Sequence, residues 1–195
     1  MAAAPEPGRD WGRLALVGSV ILLLLAIVLR STVFGLVNVK TGSMQPAIRP
    51  GSTWLYLKIA EPELGDMVVV ELPWEPGVLH VKRLVATGPG EVELVDGRLY
   101  VDGAPVFVDR DLDVPWLDDS CTPRVGRGHA EIYAANQVAV LGGGEHARTR
   151  LLAGEIWLLG DRRGRSEDSG QWGAVPSSAV RGKVWGPVLA GQGCD

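Results

Sequence analysis

The distribution of apolar and polar residues divides the chain into one long apolar segment and many short ones. Residues 14–29, LALVGSVILLLLAIVL, carry no charged side chain, and Arg30 ends the run. Trp11 and a snorkelling Arg30 extend it towards the roughly 20 residues that a membrane-spanning helix uses. A segment that is apolar on every face suits lipid better than a protein core, although a buried core helix is the alternative. The pattern predicts a transmembrane anchor over residues 14–34.

The flanks of this segment indicate a retained, single-pass anchor. No small-residue triplet of the A-x-A type follows the apolar run, so a cleaved signal peptide is disfavoured. Arg9 and Arg13 precede the segment, and Arg30 and Lys40 follow it, so the positive-inside rule gives only a slight bias. We expect residues 1–13 in the cytoplasm and residues 35–195 outside the cytoplasmic membrane.

Beyond the anchor, short apolar stretches alternate with turn residues. The chain has 26 Gly and 13 Pro, which fall between pieces rich in valine, leucine and aromatic residues. This pattern predicts a mainly β fold of short antiparallel strands. The predicted strands are 53–59, 66–72, 80–87, 91–95, 98–103, 137–142, 155–160 and 180–188. Residues 109–135 are polar and turn-rich, which predicts an excursion within a variable region at about 104–150.

Composition excludes some functions. The net charge is -4, and no basic stripe follows the chain, so nucleic acid is not an expected partner. The two cysteines, Cys121 and Cys194, form no CxxC motif and lie in no histidine cluster, so no metal site is expected. A disulfide between them is an open alternative in an oxidising compartment.

One serine follows the anchor in a stiff, proline-rich turn, KTGSMQPAIRPG at 40–51. The hydroxyl of Ser43 would need a base to become a nucleophile. None of the histidines lies in a recognisable hydrolase motif, and G-x-S-x-G is absent from the sequence; the histidines are His80, His129 and His146. Lys82, in HVKRLVAT, shares a strand face with Leu84, so its amine can be partly buried and its pKa lowered. The alternative is a pair of solvated cations on an edge strand.

Four segments resemble, in order, the conserved boxes of the type I signal peptidases, membrane-bound serine proteases with a Ser/Lys dyad. They are TGSMQPAIRPG at 41–51, GDMVVVELP at 65–73, HVKRLVATGPGE at 80–91 and LLGDRRGRSEDSGQWGAVPSSAVRGKVW at 158–185. The first box of that family reads S-G-S-M-x-P-T-L-x-x-G-D. The resemblance spans residues 14–188 and implies a signal-peptidase-like β-domain.

The resemblance implies a role for each matching residue. Ser43 would be the nucleophile and Lys82 the general base. The backbone N–H of Ser43 and the hydroxyl of Thr41 would form the oxyanion hole, and Ser166 would orient the lysine amine. A supporting charged network would contain the remaining matches, which are Asp161, Arg163 and Asp168. The resemblance implies no cofactor and no metal.

The sequence also departs from the family pattern. Arg162 stands where the family has asparagine, and Gly170 stands where it has arginine, so one partner of the expected ion-pair network is absent. Smaller changes occur in the first and third boxes; they are Ala47, Ile48, Ser52, Ala86 and Thr87.

The resemblance implies a serine endopeptidase that cleaves signal peptides from exported preproteins at the outer surface of the cytoplasmic membrane. Its expected partners are those signal peptides and membrane lipid. The substrate would bind as an added β-strand, with small side chains in shallow pockets that residues 66–72 help to line. One alternative is a dedicated peptidase that processes pilins in conjugation systems. Another is an inactive, membrane-tethered domain that only binds peptides.

Overall fold

A computed structural model describes residues 10–118, 120–133 and 136–189. The chain begins with helix α1, Trp11–Thr32, none of whose residues is buried against the rest of the protein. Its length and apolar composition are sufficient to cross a membrane. Residues 1–9 of the predicted cytoplasmic tail lie outside the described residues.

The remainder of the described chain is mostly β, as the sequence predicted. It contains one short helix, α2, Ser169–Trp172. The strands are β1 Phe34–Val39, β2 Ser52–Leu57, β3 Met67–Glu71, β4 Leu79–Thr87, β5 Gly90–Val95, β6 Arg98–Val101, β7 Ala104–Pro105, β8 Phe107–Leu117, β9 Pro123–Tyr133, β10 Asn136–Leu141, β11 His146–Leu151, β12 Glu155–Leu159, β13 Val175–Pro176 and β14 Val180–Leu189.

These strands form three antiparallel sheets. The largest has the order β1-β2-β14-β3-β4-β12-β13, and the others have the orders β11-β5-β6-β7 and β10-β9-β8. A cluster that includes Trp157, Leu99, Tyr133 and Val140 joins side chains from all three sheets. The largest sheet therefore has the two smaller ones packed beside it through one continuous core.

All eight predicted strands are present, and four further strands of more than two residues escaped prediction: β1, β8, β9 and β11. Most of the described residues between 109 and 135 belong to the long antiparallel pair β8 and β9 rather than to a turn-rich excursion. Both strands carry many polar side chains because much of this pair faces solvent. A glycine at 128 permits the close approach of β9 to β10, since a Cβ there would lie 2.0 Å from the carbonyl oxygen of Val140.

The connection between β8 and β9 contains one of the two cysteines. Cys121 has a positive φ of 62° and takes part in a disulfide. The other cysteine of the sequence, Cys194, lies outside the described residues.

Candidate active site

Ser43 lies on a single 3-10 turn, Gly42–Met44, between β1 and β2. The turn is held from below by Met44 and Ile48, whose side chains are completely buried, and the N–H of Ile48 donates to the carbonyl of Met44 at 2.8 Å. Gln45 is also buried, and its side-chain oxygen accepts a hydrogen bond from the N–H of Leu117 at 2.8 Å. The serine therefore stands on a rigid support rather than on a free loop.

Lys82 lies on β4, which is an interior strand with β3 on one side and β12 on the other. The alternative of solvated cations on an edge strand is therefore wrong. Only 4% of Lys82 is exposed, and its Nζ donates to Ser166 Oγ at 2.9 Å and lies 5.5 Å from the ring centre of Trp172. Burial lowers the pKa of Lys82 to about 8, although the carboxylates of Asp168, Glu167 and Asp161 oppose the shift.

Ser43 and Lys82 line the same cleft. This cleft has a volume of about 490 Å³ and lies between β1 and the segment from Gly77 to Lys82. Ser43 Oγ is 3.3 Å from Thr41 Oγ1, and among the described residues no hydrogen bond joins it to Lys82 Nζ. Residues 66–72, which we expected to contribute to substrate pockets, do not line this cleft. The apolar side chains of Val68, Val69, Val70 and Leu72 are buried in the core.

The absence of a side chain at Gly160 brings the serine turn and Ser166 together. A Cβ at this position would lie 2.2 Å from Ser166 Oγ and 2.7 Å from the carbonyl oxygen of Ser43. Asp168 fixes the same region, since it accepts from the N–H of Gly160 at 2.9 Å and from the N–H of Gly170 at 3.1 Å. The segment that carries Ser166 is thus fastened to the end of β12.

Two buried ion pairs support this segment. Arg83 donates from Nε and Nη2 to the two carboxylate oxygens of Asp161. Arg163 Nη2 donates to Glu131 Oε2 at 2.6 Å, and Glu131 itself is fully buried. Burial disfavours the charge of Glu131, but Arg163 and hydrogen bonds from neighbouring side chains together lower the pKa of this carboxyl to about 2. Burial raises the pKa of Asp161, with Arg83 opposing it.

Sequence reasoning missed Glu131. It comes from β9, inside the stretch that carries no family motif, and reaches the site only through the pairing of the small sheet with the rest of the domain. Its period-2 alternation with His129 and Tyr133 is the signal that could have indicated a strand with three side chains on one face. Tyr133 donates its hydroxyl proton to Glu131 Oε2, and His129 Nε2 lies 3.5 Å from Glu131 Oε1.

The sequence of this chain matches a known protein family. A family model described as signal peptidase, peptidase S26, matches residues 11–189. The chain belongs to the S26 signal peptidase family. Signal peptidase I of Pseudomonas aeruginosa is 26% identical over an aligned length of 192 residues, and the match covers 84% of this chain and 68% of that protein. Signal peptidase I of Bacillus licheniformis is 28% identical over 154 residues, which cover 77% and 73%. A crystal structure of a signal peptidase I from Enterococcus faecalis aligns with a TM-score of 0.39 and 20% identity over 65% of this chain and 99% of that one.

As a member of the S26 signal peptidase family, the chain is a serine endopeptidase. Two departures from the family motif can now be located. The N–H of Arg162 donates to the carbonyl of Ser43 at 3.0 Å, and its guanidinium lies over the Trp116 ring at 3.8 Å. Position 170 takes part in neither buried ion pair, because Arg83 pairs with Asp161 and Arg163 pairs with Glu131. The arginine missing at Gly170 therefore leaves both pairs complete.

In this S26 family member, His80 and His146 contact residues other than Ser43. His80 lines the cleft, where its Nε2 lies 2.8 Å from a carboxylate oxygen of Glu75 and its ring packs edge-on against Trp172. His146 Nε2 lies 3.0 Å from Thr149 Oγ1, in a different part of the fold. Within the described part of the chain, no cluster of three or more His, Cys, Asp or Glu residues is placed to hold a metal ion.

Proposed function

We propose that the protein is a signal peptidase I that cleaves N-terminal signal peptides from exported preproteins with a Ser43/Lys82 dyad. One observation carries the proposal: a buried lysine lines the same cleft as Ser43, and its burial lowers its pKa to about 8. A lysine with an ordinary pKa near 10.4 would be neutral in about one molecule in 2,500 at pH 7, whereas a pKa of about 8 leaves roughly a tenth neutral. A general base must be neutral in an appreciable fraction of the molecules, and the lowered pKa gives Lys82 that fraction.

Acyl transfer would proceed in two steps. Neutral Lys82 accepts the proton of Ser43 Oγ while this oxygen attacks the scissile carbonyl, and the lysine then returns the proton to the leaving amine. Water next attacks the serine ester, with Lys82 again accepting and returning a proton. Ser166 holds the amine at 2.9 Å. The bond between Ser43 and Lys82 would form as substrate closes the cleft, since catalytic hydrogen bonds often tighten in the complex.

The negative oxygen of each tetrahedral intermediate needs donors. The backbone N–H of Ser43 is one candidate, and the hydroxyl of Thr41, 3.3 Å from Ser43 Oγ, is the other. The ion pairs of Asp161 and Arg163, and the hydrogen bonds that Asp168 accepts, would contribute to catalysis indirectly. They hold the segment that positions Ser166.

The substrate would bind along β1. This strand pairs with β2 on one side only, and its other edge faces the cleft, so an extended peptide can add to it. Apolar side chains of the cleft, such as Val37, Leu79 and Val81, suit the small residues that we expect at the first and third positions before the cut.

If α1 spans a membrane, it would hold this cleft beside the lipid surface. α1 ends at Thr32 and β1 begins at Phe34, and Lys58 Nζ donates to the carbonyl of Ser31 at 2.7 Å. We propose that α1 spans the cytoplasmic membrane and that the β-domain lies on its outer side. Signal peptides arriving through lipid would then meet the cleft directly.

Cleavage of a model preprotein in detergent micelles tests the dyad. Ser43→Ala and Lys82→Ala should each abolish cleavage while the circular dichroism spectrum is retained. Substantial activity in either folded variant would refute the assignment. Cleavage restricted to one pilin precursor would instead indicate a dedicated peptidase, and binding without cleavage by the wild-type protein would indicate a peptide-binding domain.

The pH dependence of kcat/KM tests the identity of the base. We expect an acid limb with a pKa near 8, set by Lys82. His80, the histidine that lines the cleft, provides the control. The limb should persist in His80→Gln, whereas its loss in that variant would assign the base to histidine.

A further inference from the structure

A second groove lies on the other side of the serine turn. Its volume is about 400 Å³, and it shares Lys40 and Thr41 with the substrate cleft. Gly42 and Gln45 form one wall, so the turn that carries Ser43 separates the groove from the cleft. A peptide that occupies the cleft and extends past Ser43 therefore reaches this groove.

The opposite wall comes from the end of β8, the strand whose role the sequence did not reveal. Leu117 and Asp118 line the groove, and the N–H of Leu117 is bound to the side chain of Gln45. Arg162 stacks on Trp116 of the same strand. The three-stranded sheet is thus joined directly to the nucleophile turn, and this junction builds the groove.

The charges around the groove are predominantly positive. Lys40, Arg162 and Arg165 line it together with one carboxylate, that of Asp118. Asp118 is in turn paired with Arg124 at 2.9 Å. Both lining arginines contact other residues, so the relevant property is the summed charge and not an unpaired guanidinium. That sum stays positive even if the neighbouring Asp119, outside the described residues, is counted as a second negative charge.

We propose that this groove binds the first residues of the segment released by cleavage and favours acidic side chains there. The inference rests on the proposed function, because the direction of the substrate follows from it. The signal peptide occupies the cleft beside β1, and the mature chain must leave across the serine turn. A carboxylate near two of the groove cations would bind more tightly than a lysine, and salt would weaken the difference.

Two preprotein substrates that differ only at the second and third residues after the cleavage site test the proposal. One carries aspartate at both positions and the other carries lysine. We expect the wild-type protein to show a kcat/KM roughly tenfold higher for the aspartate substrate at low ionic strength, and a smaller ratio in high salt. The double variant Lys40→Gln/Arg165→Gln should reduce the ratio to about twofold or less.

Arg148→Gln is the matched control, because Arg148 is an exposed cation on β11 that pairs with Glu93 and does not line the groove. This variant should keep the wild-type ratio. A ratio of one or less in the wild-type protein would overturn the proposal, as would a ratio that the double variant leaves unchanged.

A binding measurement tests this inference independently of the proposed function. Fluorescence anisotropy with the Ser43→Ala protein measures the affinity for each labelled substrate without cleavage. If the wild-type protein cleaves neither substrate, the proposed function fails, and the affinities alone decide the role of the groove. Tighter binding of the aspartate substrate, lost in Lys40→Gln/Arg165→Gln, would support that role; equal affinities would refute it.

Discussion

Replacing Lys82 with methionine should make the protein more stable at neutral pH while it abolishes activity. Methionine has a similar length but no charge. In the folded protein the pKa of Lys82 lies at about 8, compared with 10.5 for an unperturbed lysine. At pH 7 the side chain is mostly protonated in both states, so folding buries a charge at a cost of about 3 kcal/mol.

The net gain in the stability of Lys82→Met is smaller than this cost because one hydrogen bond is lost. Without Lys82, the hydroxyl of Ser166 loses the hydrogen bond of 2.9 Å, which is worth about 1 kcal/mol. We therefore expect Lys82→Met to gain about 2 kcal/mol at pH 7, or roughly 6 °C in Tm for a domain of this size. Since the folded pKa is the lower one, the burial cost disappears as the pH rises from 8 to 10.5, and the advantage of the variant should disappear with it.

Thermal unfolding in detergent micelles, followed by circular dichroism at pH 7 and pH 10, provides the measurement. Lys40→Met removes an exposed lysine from the rim of the same cleft and controls for the loss of one positive charge. A lower Tm for Lys82→Met at pH 7 would contradict the reasoning. A gain of the same size at both pH values would show that methionine packing, and not charge burial, is responsible.

Three further variants address the supporting residues. Thr41→Val should lower kcat for preprotein cleavage by about 10²- to 10³-fold, whereas Thr41→Ser should retain activity; equal rates for both would remove Thr41 from the oxyanion hole. Glu131→Gln should cost about 3 kcal/mol at pH 7 because it removes the carboxylate that pairs with buried Arg163. This loss should shrink as the pH falls from about 4.5 towards 2, where wild-type Glu131 also becomes neutral, and denaturant titrations over that range would check it. Gly160→Ala should reduce kcat at least about tenfold by displacing Ser166, whereas Gly186→Ala, whose added Cβ would meet no atom within 4 Å, should not.

The sequence predicted the parts of the fold that depend on local pattern. The apolar run before Arg30 and the short valine-rich segments around Lys82 depend on hydrophobic periodicity, which is visible without a structure. β8 and β9 were missed because charged residues, glycines and prolines interrupt their apolar positions, and because both strands are stabilised by pairing within the three-stranded sheet. Such pairing over a long hairpin leaves little trace in local composition.

Some residues of the candidate site could likewise be predicted from the sequence, and others could not. Ser43 and Lys82 could be proposed from residue type and pattern, and the role of Ser166 was implied by the family resemblance. Glu131 could not be proposed, because its role depends on a buried arginine more than thirty residues away and on β9, a strand that was not predicted. The effect of Gly170 could not be predicted from the sequence either, because the ion-pair partner of Arg163 is Glu131, which lies on another sheet.

The short connection between α1 and β1 sets the distance between the end of the helix and the start of the strand. Only Val33 separates helix from strand, and its carbonyl accepts from the N–H of Lys58, which ties this connection to the end of β2. β1 has six residues and spans roughly 20 Å. A preprotein strand lying along β1 would then need about six extended residues between the lipid and the bond that is cut. In this arrangement the protein would select its cleavage position by distance from the bilayer as well as by side-chain size.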